Sequence, residues 1–591
     1  MRKITLLTFF LVFNVQNIMT QVTCTFGLSL RLKQSEIAAF VESVPNCKIV
    51  NSEIVLDSDV TDLSLFNQFE GISGGLKLDN CINLENLNGL SNISSLPKLE
   101  IIGSNKLKDL TALSYVKNFR RLLIKNNNSI ESLENWPKSL LSPINLELEN
   151  TKIKSLSGLI FLDSTAQNIS LIENKDLNDI SSLMSLKTIE GKIVISKNRS
   201  LSDISPLNNI QKAGRIEVLE NFSLKYLPNF DFLDSVGVFR MKGMVVDYVD
   251  LDVIYWPINT PKIQRIRYIE ELSFENLQGP DTLLGYNHLK NLQTLLIVGC
   301  SYKAISGFNG LNSENLAIFL RYNGKLKSIS GFENLKNNLI TLKLDSNYAL
   351  EKINAFKNLI TAGQIIIWGN NVALDSIVNF ENLKSIRGHF FIINNGKLKY
   401  FSFPALESAG EITISGNREL IDFSLPSLID GGGIFLQHNI KLTSIGGLKN
   451  IDWKTMKGGD MINNYSLTDC VYDFYCNFLK HHTARLINNG PGCSSREEIL
   501  ERCLALSAED EIETTHEVKI YPNPVAGPLH IWSEYLPGSR IHIYDSKGME
   551  VRATQAFENT EVIDMSSLPA GLYFVWCRHS AGVEVRRVVK I

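Results

Sequence analysis

Cysteines are the residues of this 591-residue chain whose chemistry is easiest to interpret. Cys24 and Cys47 lie near the N-terminus, and a later cluster contains Cys470, Cys476, Cys493 and Cys503. Such a cluster can form disulfides or hold zinc through thiolates. Its spacings of 6, 17 and 10 residues include no Cys-x-x-Cys, so they favour disulfides over a metal site. We predict the pairs Cys24–Cys47, Cys470–Cys493 and Cys476–Cys503, although four cysteines allow three pairings.

Motifs for catalysis and cofactor binding are missing from the sequence. It contains no His-Glu-x-x-His, no Gly-x-Ser-x-Gly and no phosphate-binding loop. The pair His481-His482 lies in the cysteine cluster, where a solvated surface is the simplest interpretation. We therefore expect a protein that is not an enzyme and that uses no metal or cofactor.

Composition and charge exclude several classes of protein. Lys and Arg number 59 and Asp and Glu number 62, which gives a net charge of −3 and does not fit a strongly basic nucleic-acid-binding protein. Apolar residues make up 44% and charged residues 20%, as is typical of folded soluble proteins. After the N-terminus, no apolar run reaches the roughly 20 residues that span a bilayer. We expect no nucleic-acid partner and no transmembrane span.

The first residues have the pattern of an export signal. Met1-Arg2-Lys3 precedes a short apolar run from Ile4 to Phe13, and two positive charges before such a run are typical of a secretory signal. We predict a signal peptide over residues 1–20. Export makes the predicted disulfides possible.

One pattern recurs from about residue 72 to about residue 468: apolar-x-apolar-x-x-Asn-x-x-Leu-x-x-Ile. Its Asn slot returns every 22 to 25 residues, inside the range of leucine-rich repeats. We place the slot at Asn105, Asn127, Thr151, Asn174, Asn198, Asn221, Asn323, Asn347, Asn370 or Asn371, Asn395, Asn417, Asn439 and Asn464. Cys81 and Cys300 occupy the same slot, which indicates buried free thiols rather than a redox pair.

The elements that the repeat must build follow from its spacing. Each apolar-x-apolar segment predicts a short strand with both apolar side chains pointing inward. The chain then bends, and a buried carboxamide can satisfy the backbone groups left without partners. One turn cannot bury its own apolar face, so turns stack into a parallel sheet, and we predict a solenoid over residues 72–468. The pattern slips between Arg240 and Ser273, which predicts an inserted loop near residues 245–270 that either binds a ligand or packs on itself.

These repeats resemble a known family. The segment Phe403–Ile414 resembles the receptor L-domain branch of leucine-rich repeats, and Asp203–Leu207 is similar to the internalin type. The segment Cys24–Cys47 resembles the N-terminal cap of exported bacterial arrays. The resemblance implies a mostly β, right-handed solenoid, and the exposed apolar interior at its ends predicts disulfide-stapled caps at residues 21–71 and 469–505.

Beyond a linker at residues 506–516, short alternating strands separated by turns predict a small antiparallel β-sandwich over residues 517–591. Three blocks resemble the C-terminal sorting domain of type IX secretion: Tyr521-Pro522-Asn523-Pro524, Leu568-Pro569-Ala570-Gly571-Leu572-Tyr573, and Val588-Val589-Lys590-Ile591. The resemblance implies a Gram-negative bacterium whose type IX secretion machinery acts through residues 517–591. It also implies release outside the cell or attachment to the outer cell surface.

The outward residue of each predicted strand is mixed or charged in the first half of the array and apolar in the second. The candidate binding residues are Phe319, Ile366, Trp368, Phe391, Ile393 and Phe435. A solvated sheet face should carry polar residues, so these side chains either bind a ligand or are covered by a loop, the C-terminal module or a second subunit. We hypothesise a secreted or surface-anchored binding protein for a protein, peptide or glycan, in adhesion or capture. The alternative is a structural or assembly subunit of the bacterial cell surface.

Overall fold

The computed structural model of the chain describes residues 22–134, 136, 140–159, 164–224, 227–243, 263, 265–337, 339–510, 518–534, 536–545, 549–579 and 582–591. The predicted signal peptide, most of the predicted loop near 245–270 and residues 511–516 of the predicted linker lie outside these residues. The chain divides into two compact units, Met1–Leu500 and Glu501–Ile591.

The first unit is built on one long parallel sheet, which we call the main sheet. Each strand pairs with the strand of the turn before it and of the turn after it. Among the described residues its strands are Ser29–Leu32, Glu53–Leu56, Leu76–Asp79, Lys98–Ile102, Phe119–Asn127, Leu140–Thr151, Thr165–Ile172, Thr188–Ser196, Lys212–Leu219, Ser235–Lys242, Tyr268–Glu275, Asn291–Val298, Leu316–Arg321, Leu339–Asp345, Thr361–Trp368, Ser385–Ile393, Ser408–Ser415, Gly433–Gln437, Gly458–Ile462 and Leu486–Ile487. The prediction of a mostly β parallel solenoid is confirmed.

The main sheet extends beyond residues 72–468 at both ends. Ser29–Leu32 pairs with Glu53–Leu56 inside the predicted N-terminal cap, and Leu486–Ile487 pairs with Gly458–Ile462 at the other end. The repeat pattern misses the first strand because an α-helix, Gln34–Ser43, follows it in place of a turn with an Asn slot.

Side chains in the slot form a buried column. The Asn174 N–H donates to Asn198 Oδ1 at 3.0 Å, and the Asn198 N–H donates to Asn221 Oδ1 at 2.9 Å. Asn198 Nδ2 also donates to the carbonyl of Leu171 at 2.9 Å. The predicted stack of these three asparagines is confirmed, and equivalent bonds continue through the second half as far as Asn489.

The structure corrects one position of the slot and decides another. Ser104 is fully buried there whereas Asn105 is exposed, so the slot lies one residue earlier than we predicted. For the slot that we placed at either Asn370 or Asn371, the structure shows Asn371 fully buried and Asn370 exposed. The chain fits the extra residue by placing Gly369 at φ 68°, in the left-handed region, ahead of Asn370, whose φ of 54° matches the residue before the slot in the neighbouring turns, Ser346 and Asn394.

The two cysteines in the slot are free and buried. Cys81 Sγ faces the carbonyl oxygens of Leu56 and Asp57, and the Cys300 N–H donates to Asn323 Oδ1 at 2.9 Å. Burial raises the pKa of each thiol to about 12. These cysteines therefore act as packing residues of the ladder, since a neutral buried thiol is a poor nucleophile.

A column of aromatic rings fills the interior of the second half. Neighbouring rings stack with centroids 4.8 to 5.8 Å apart. Its members are fully buried and come from successive turns: Tyr286, Phe308, Phe332, Phe356, Phe380 and Phe403. This column is the core on which the outward face of the second half is held.

Disulfides lie near both ends of the solenoid. Cys24 pairs with Cys47, with Cα atoms 5.9 Å apart, and Cys470 pairs with Cys493, with Cα atoms 6.1 Å apart. Cys476 and Cys503 are also disulfide-bonded, and their predicted pairing with each other stays a prediction.

Shorter elements complete the first unit. The other α-helices of the described residues are Asp473–His481 and Arg496–Asp510. The second of these begins in the first unit, continues past Leu500 and extends into residues that we predicted as linker. Short 3-10 helices are Ser64–Gln68, Thr111–Leu113, Ser181–Ser185, Ser205–Asn209, Gly446–Leu448 and Trp453–Thr455. Within the described ranges, three narrow parallel sheets accompany the main sheet: Thr23–Cys24, Ile49–Val50 and Gly71–Ile72; Thr282–Leu283, Ala304–Ile305, Ser328–Gly331 and Lys352–Ala355; Ser376–Ile377, Tyr400–Ser402 and Asp422–Ser424.

The described residues of the second unit form two antiparallel sheets. One consists of Lys519–Tyr521, Pro528–Trp532 and Thr560–Asp564, and the other of Arg540–Asp545, Glu550–Gln555, Gly571–His579 and Gly582–Lys590. Leu529 and Ile531 of the first sheet share one buried core with Ile541 and Ile543 of the second. The predicted antiparallel C-terminal region is confirmed. No helix in the described part of the chain is long and apolar enough to cross a membrane.

Candidate binding face

Two neighbouring strands of the main sheet hold the centre of the candidate site. Thr361–Trp368 and Ser385–Ile393 pair in parallel, with Ile366 opposite Phe391 and Trp368 opposite Ile393. Because alternate residues of a strand point to opposite faces, the intervening Ile367 and Ile392 are fully buried. We call the four outward residues the apolar block: Ile366, Trp368, Phe391 and Ile393.

Trp368 is the most exposed member of the apolar block. Its side chain is 46% exposed, while the other three are half-buried. An exposed indole beside three apolar side chains is unusual on a solvated sheet, whose outward positions are ordinarily polar. The structure thus brings together four of the six predicted binding residues.

The extra residue of this turn is accommodated just after Trp368, so it does not shift the strand. Lys343 stays opposite Ile366, and Asp345 stays opposite Trp368. The Ser346 N–H donates to the carbonyls of both Trp368 and Gly369, at 3.2 and 2.6 Å. The outward direction of Ile366 and Trp368 is therefore unaffected by the extra residue.

Phe319 and Phe435 face outward but stand apart from the apolar block. Lys343 lies between Phe319 and Ile366, and Thr413 lies between Phe391 and Phe435. Both lie on the outward face, and one polar outward residue separates each of them from the apolar block.

Phe435 has a distinct setting, next to two glycines. A Cβ atom at Gly433 would lie 2.9 Å from its ring, and one at Gly458 would lie 3.3 Å from it. The ring therefore lies against bare backbone, and any side chain at Gly433 would have to displace it.

Positive charge borders the apolar block on the side of the strand Leu339–Asp345. Lys343 Nζ lies 5.1 Å from the centroid of the Trp368 ring, within cation–π range. Asp345 Oδ2 lies 3.3 Å from Arg321 Nε and 4.0 Å from Lys343 Nζ. One carboxylate thus serves two cations, which leaves a surplus of positive charge on this side.

A carboxylate borders the opposite side. Glu411 lies across from His389, whose Nδ1 is 3.8 Å from Glu411 Oε2. The His389 ring lies 4.6 Å from the Phe391 ring, and the Thr413 hydroxyl donates to Glu411 Oε1 at 3.3 Å. The apolar block is therefore flanked by opposite charges.

The first half of the main-sheet face is different because its charges pair with one another. Arg240 lies between Glu217 and Glu271, with nitrogen–oxygen distances of 3.1 and 2.6 Å. Burial opposes the charge of Arg240, but the hydrogen bond to Glu271 and both carboxylates outweigh it and raise the pKa of the guanidinium. The charged side chains on this half of the face therefore pair within the sheet and are less available to an external ligand.

Other parts of the first unit offer weaker sites. A depression of about 400 Å³ near Trp136 includes Lys108, Asp109 and Glu131 in its lining, but it adjoins residues that the structure does not describe. No group of three His, Cys, Asp or Glu side chains within the described ranges is arranged to hold a metal ion.

In the second unit, the predicted sorting blocks meet at one place. Asn523 Nδ2 donates to the carbonyl of Arg587 at 2.7 Å, and Asn523 Oδ1 accepts from the Val589 N–H at 2.9 Å. The turn that contains Asn523 is thereby tied to the last strand, Gly582–Lys590.

The middle block joins the same strand. Gly571 lies opposite Lys590, and the Tyr573 hydroxyl donates to the carbonyl of Pro569 at 2.8 Å. Leu568 packs against the core of this unit. Residues far apart in the sequence thus stabilise one end of the antiparallel module.

Residues 519–591 match the family model described as a secretion system C-terminal sorting domain. No curated protein matches the chain. The second unit is therefore a type IX sorting domain, which indicates export to the cell surface or the extracellular space.

Proposed function

We propose that this protein, delivered outside the cell by its sorting domain, is a non-catalytic binding protein whose main-sheet face binds a protein, peptide or glycan. It is secreted or anchored at the outer surface of a Gram-negative bacterium, where it serves adhesion or capture. The type IX secretion machinery engages residues 517–591, and a signal peptide at residues 1–20 directs the first export step.

The apolar block is the observation that carries this proposal. Trp368 is nearly half exposed and lies beside three apolar neighbours on a sheet held rigid by its core. Tryptophan is among the residue types most enriched at binding hot spots. Exposed apolar patches on soluble proteins are typical of interaction sites.

We further infer that the solenoid belongs to the receptor L-domain branch of leucine-rich repeats. The 22 to 25 residue spacing and the column of Asn and Cys side chains support this assignment. Proteins of this architecture bind partners of many kinds, so the architecture itself does not select a ligand.

A binding screen tests the proposal. The purified chain, its Trp368→Ala variant and a matched Tyr465→Ala variant are applied to arrays of glycans and extracellular proteins. Tyr465 is 57% exposed on a turn outside the strands, so it controls for loss of an exposed aromatic ring. We expect Trp368→Ala to weaken binding by about 2 kcal/mol, roughly 30-fold, and Tyr465→Ala to leave binding unchanged.

Unfolding temperatures of all three proteins should agree, because Trp368 is not part of the core. Ligands that bind Trp368→Ala as tightly as the wild type would refute the proposal. The alternative, a structural or assembly subunit, predicts ordered oligomers that bury Trp368, whereas a binding protein stays monomeric at high concentration in sedimentation experiments.

A further inference from the structure

We propose that the occupant of the apolar block is a protein or peptide segment with an apolar anchor side chain, an acidic group facing Lys343 and a basic group facing Glu411. This inference rests on the proposed function and names the chemistry of the partner. It selects a polypeptide over a glycan and over a second copy of the chain.

The composition of the apolar block argues against a sugar as its main occupant. Ile366, Phe391 and Ile393 offer no hydrogen-bonding side-chain atoms, and Trp368 offers a single indole N–H. Sugar hydroxyls buried here would lose their water without gaining partners, which is costly. An aliphatic or aromatic side chain loses nothing by entering the same surface and gains from leaving water.

The dimensions of the apolar block suit one or two side chains. Paired strands lie about 4.8 Å apart, and residues two positions apart on one strand lie about 6.7 Å apart. The Cα positions of the block therefore outline an area of roughly 5 by 7 Å. This area matches a short anchored segment better than an extensive apolar interface between two copies.

The charges beside the apolar block set the polarity of the partner. The side chains of Arg321 and Lys343 are 37% and 21% exposed, while that of the shared Asp345 is 10% exposed. Arg321 and Lys343 are thus both more exposed than the carboxylate that they share. An acidic side chain of the partner would gain a charged hydrogen bond here, and Lys343 already contacts Trp368, so anchor and charge would be recognised together.

The side of the apolar block next to Glu411 suits a basic group of the partner. Within the part of the chain that the structure describes, Glu411 faces the imidazole of His389, with 3.8 Å between Glu411 Oε2 and His389 Nδ1. The Glu411 side chain is 39% exposed. A lysine or arginine of the partner can therefore pair with it, and the opposite charges fix the direction in which the segment lies.

Selection from a displayed library of random dodecapeptides tests the inference. The purified full chain is the bait, and dissociation constants of the enriched peptides are measured for wild type, Lys343→Glu, Glu411→Lys and Lys192→Glu. Lys192 is an exposed lysine of the main-sheet strand Thr188–Ser196, far along the sheet, and is the matched control.

We expect enriched peptides that carry Trp, Phe, Leu or Ile next to Asp or Glu. Lys343→Glu should weaken them at least 10-fold, as should Glu411→Lys, whereas Lys192→Glu should have no effect. A second selection against Lys343→Glu should enrich Lys or Arg in place of the acid. If Lys343→Glu proves unstable, Lys343→Gln removes the charge and should still weaken binding.

Three results would overturn the inference: no enriched peptides, peptides whose affinity is indifferent to both charge reversals, or a concentration-dependent dimer lost in Trp368→Ala. Glycan binding that requires Trp368, without peptide binding, would also overturn it while leaving the proposed function intact. If no glycan, protein or peptide bound in a way that depends on Trp368, both this inference and the proposed function would be refuted.

Discussion

Asn198 shows how a single residue type holds a solenoid turn together. Its amide nitrogen donates to the carbonyl of Leu171, its own backbone N–H donates to Asn221 Oδ1, and its carboxamide oxygen accepts from Asn174. A buried carboxamide therefore links three successive turns. Few other side chains combine donors and an acceptor in so small a volume.

Replacing this residue should destabilise the solenoid without changing its packing volume much. We expect Asn198→Leu to lower the free energy of unfolding by about 1–3 kcal/mol, because buried backbone groups lose their partners. Urea denaturation measures the change. Asn178→Leu, at an exposed turn position of the neighbouring repeat, is the control and should stay near wild type; equal stability of the two variants would contradict the ladder.

Most slot residues could be predicted at this scale because a single type recurs at a fixed spacing. Ser104 was missed because the prediction followed the Asn type, although the spacing of Leu99, Ile101 and Leu107 places Ser104 in the slot. Asn370 and Asn371 were ambiguous for another reason: the strand before them fits Asn370, and Leu374 after them fits Asn371. The left-handed Gly369 that accommodates the extra residue is a property of backbone geometry.

At the scale of elements, the aromatic column holds the stacked strands in place. Phe308 lies between Tyr286 and Phe332, with ring centroids 5.2 and 5.1 Å away and interplanar angles of 7° and 10°. Each ring belongs to a different turn. The column thus couples the turns that lead to the apolar block.

Removing one ring of the aromatic column should destabilise the turns next to it. We expect Phe308→Ala to cost about 3–5 kcal/mol, the range for a buried Phe truncated to Ala. Because each repeat contacts only its neighbours, hydrogen exchange should quicken most in Asn291–Val298 and Leu316–Arg321. Phe222→Ala, which removes a ring that is 37% exposed, should leave exchange there unchanged. If the amides of these two strands exchanged equally slowly in both variants, the column would not couple the turns.

The elements were predictable where a period was visible, and less so elsewhere. Alternation in Thr361–Trp368 and Ser385–Ile393 indicates which side chains face outward. It does not show that Asp345 is shared by Arg321 and Lys343, because that contact depends on the register of three neighbouring strands. The aromatic column was missed because its members lie in turns, outside the strand pattern.

At the scale of the whole molecule, the chain combines a sorting domain with a solenoid. The sorting domain is recognisable from short blocks that meet on its last strand, such as Asn523 against Val589. The two halves of the solenoid face differ in surface chemistry: charges on the first half pair internally, as at Arg240, and the second half exposes the apolar block. Under the proposed function, ligand selection belongs to the second half of the array.

Hydroxyl-radical footprinting of the purified chain in solution tests this account most directly, because it reports whether Trp368 is open to solvent. Trp368 is 46% exposed and Trp136 is 2% exposed, so the two indoles serve as probe and internal control. The account predicts rapid oxidation of Trp368, slow oxidation of Trp136, and protection of Trp368 when a selected ligand is added. Oxidation of Trp368 as slow as that of Trp136 in the ligand-free chain would contradict it, since the proposed binding face would then be covered.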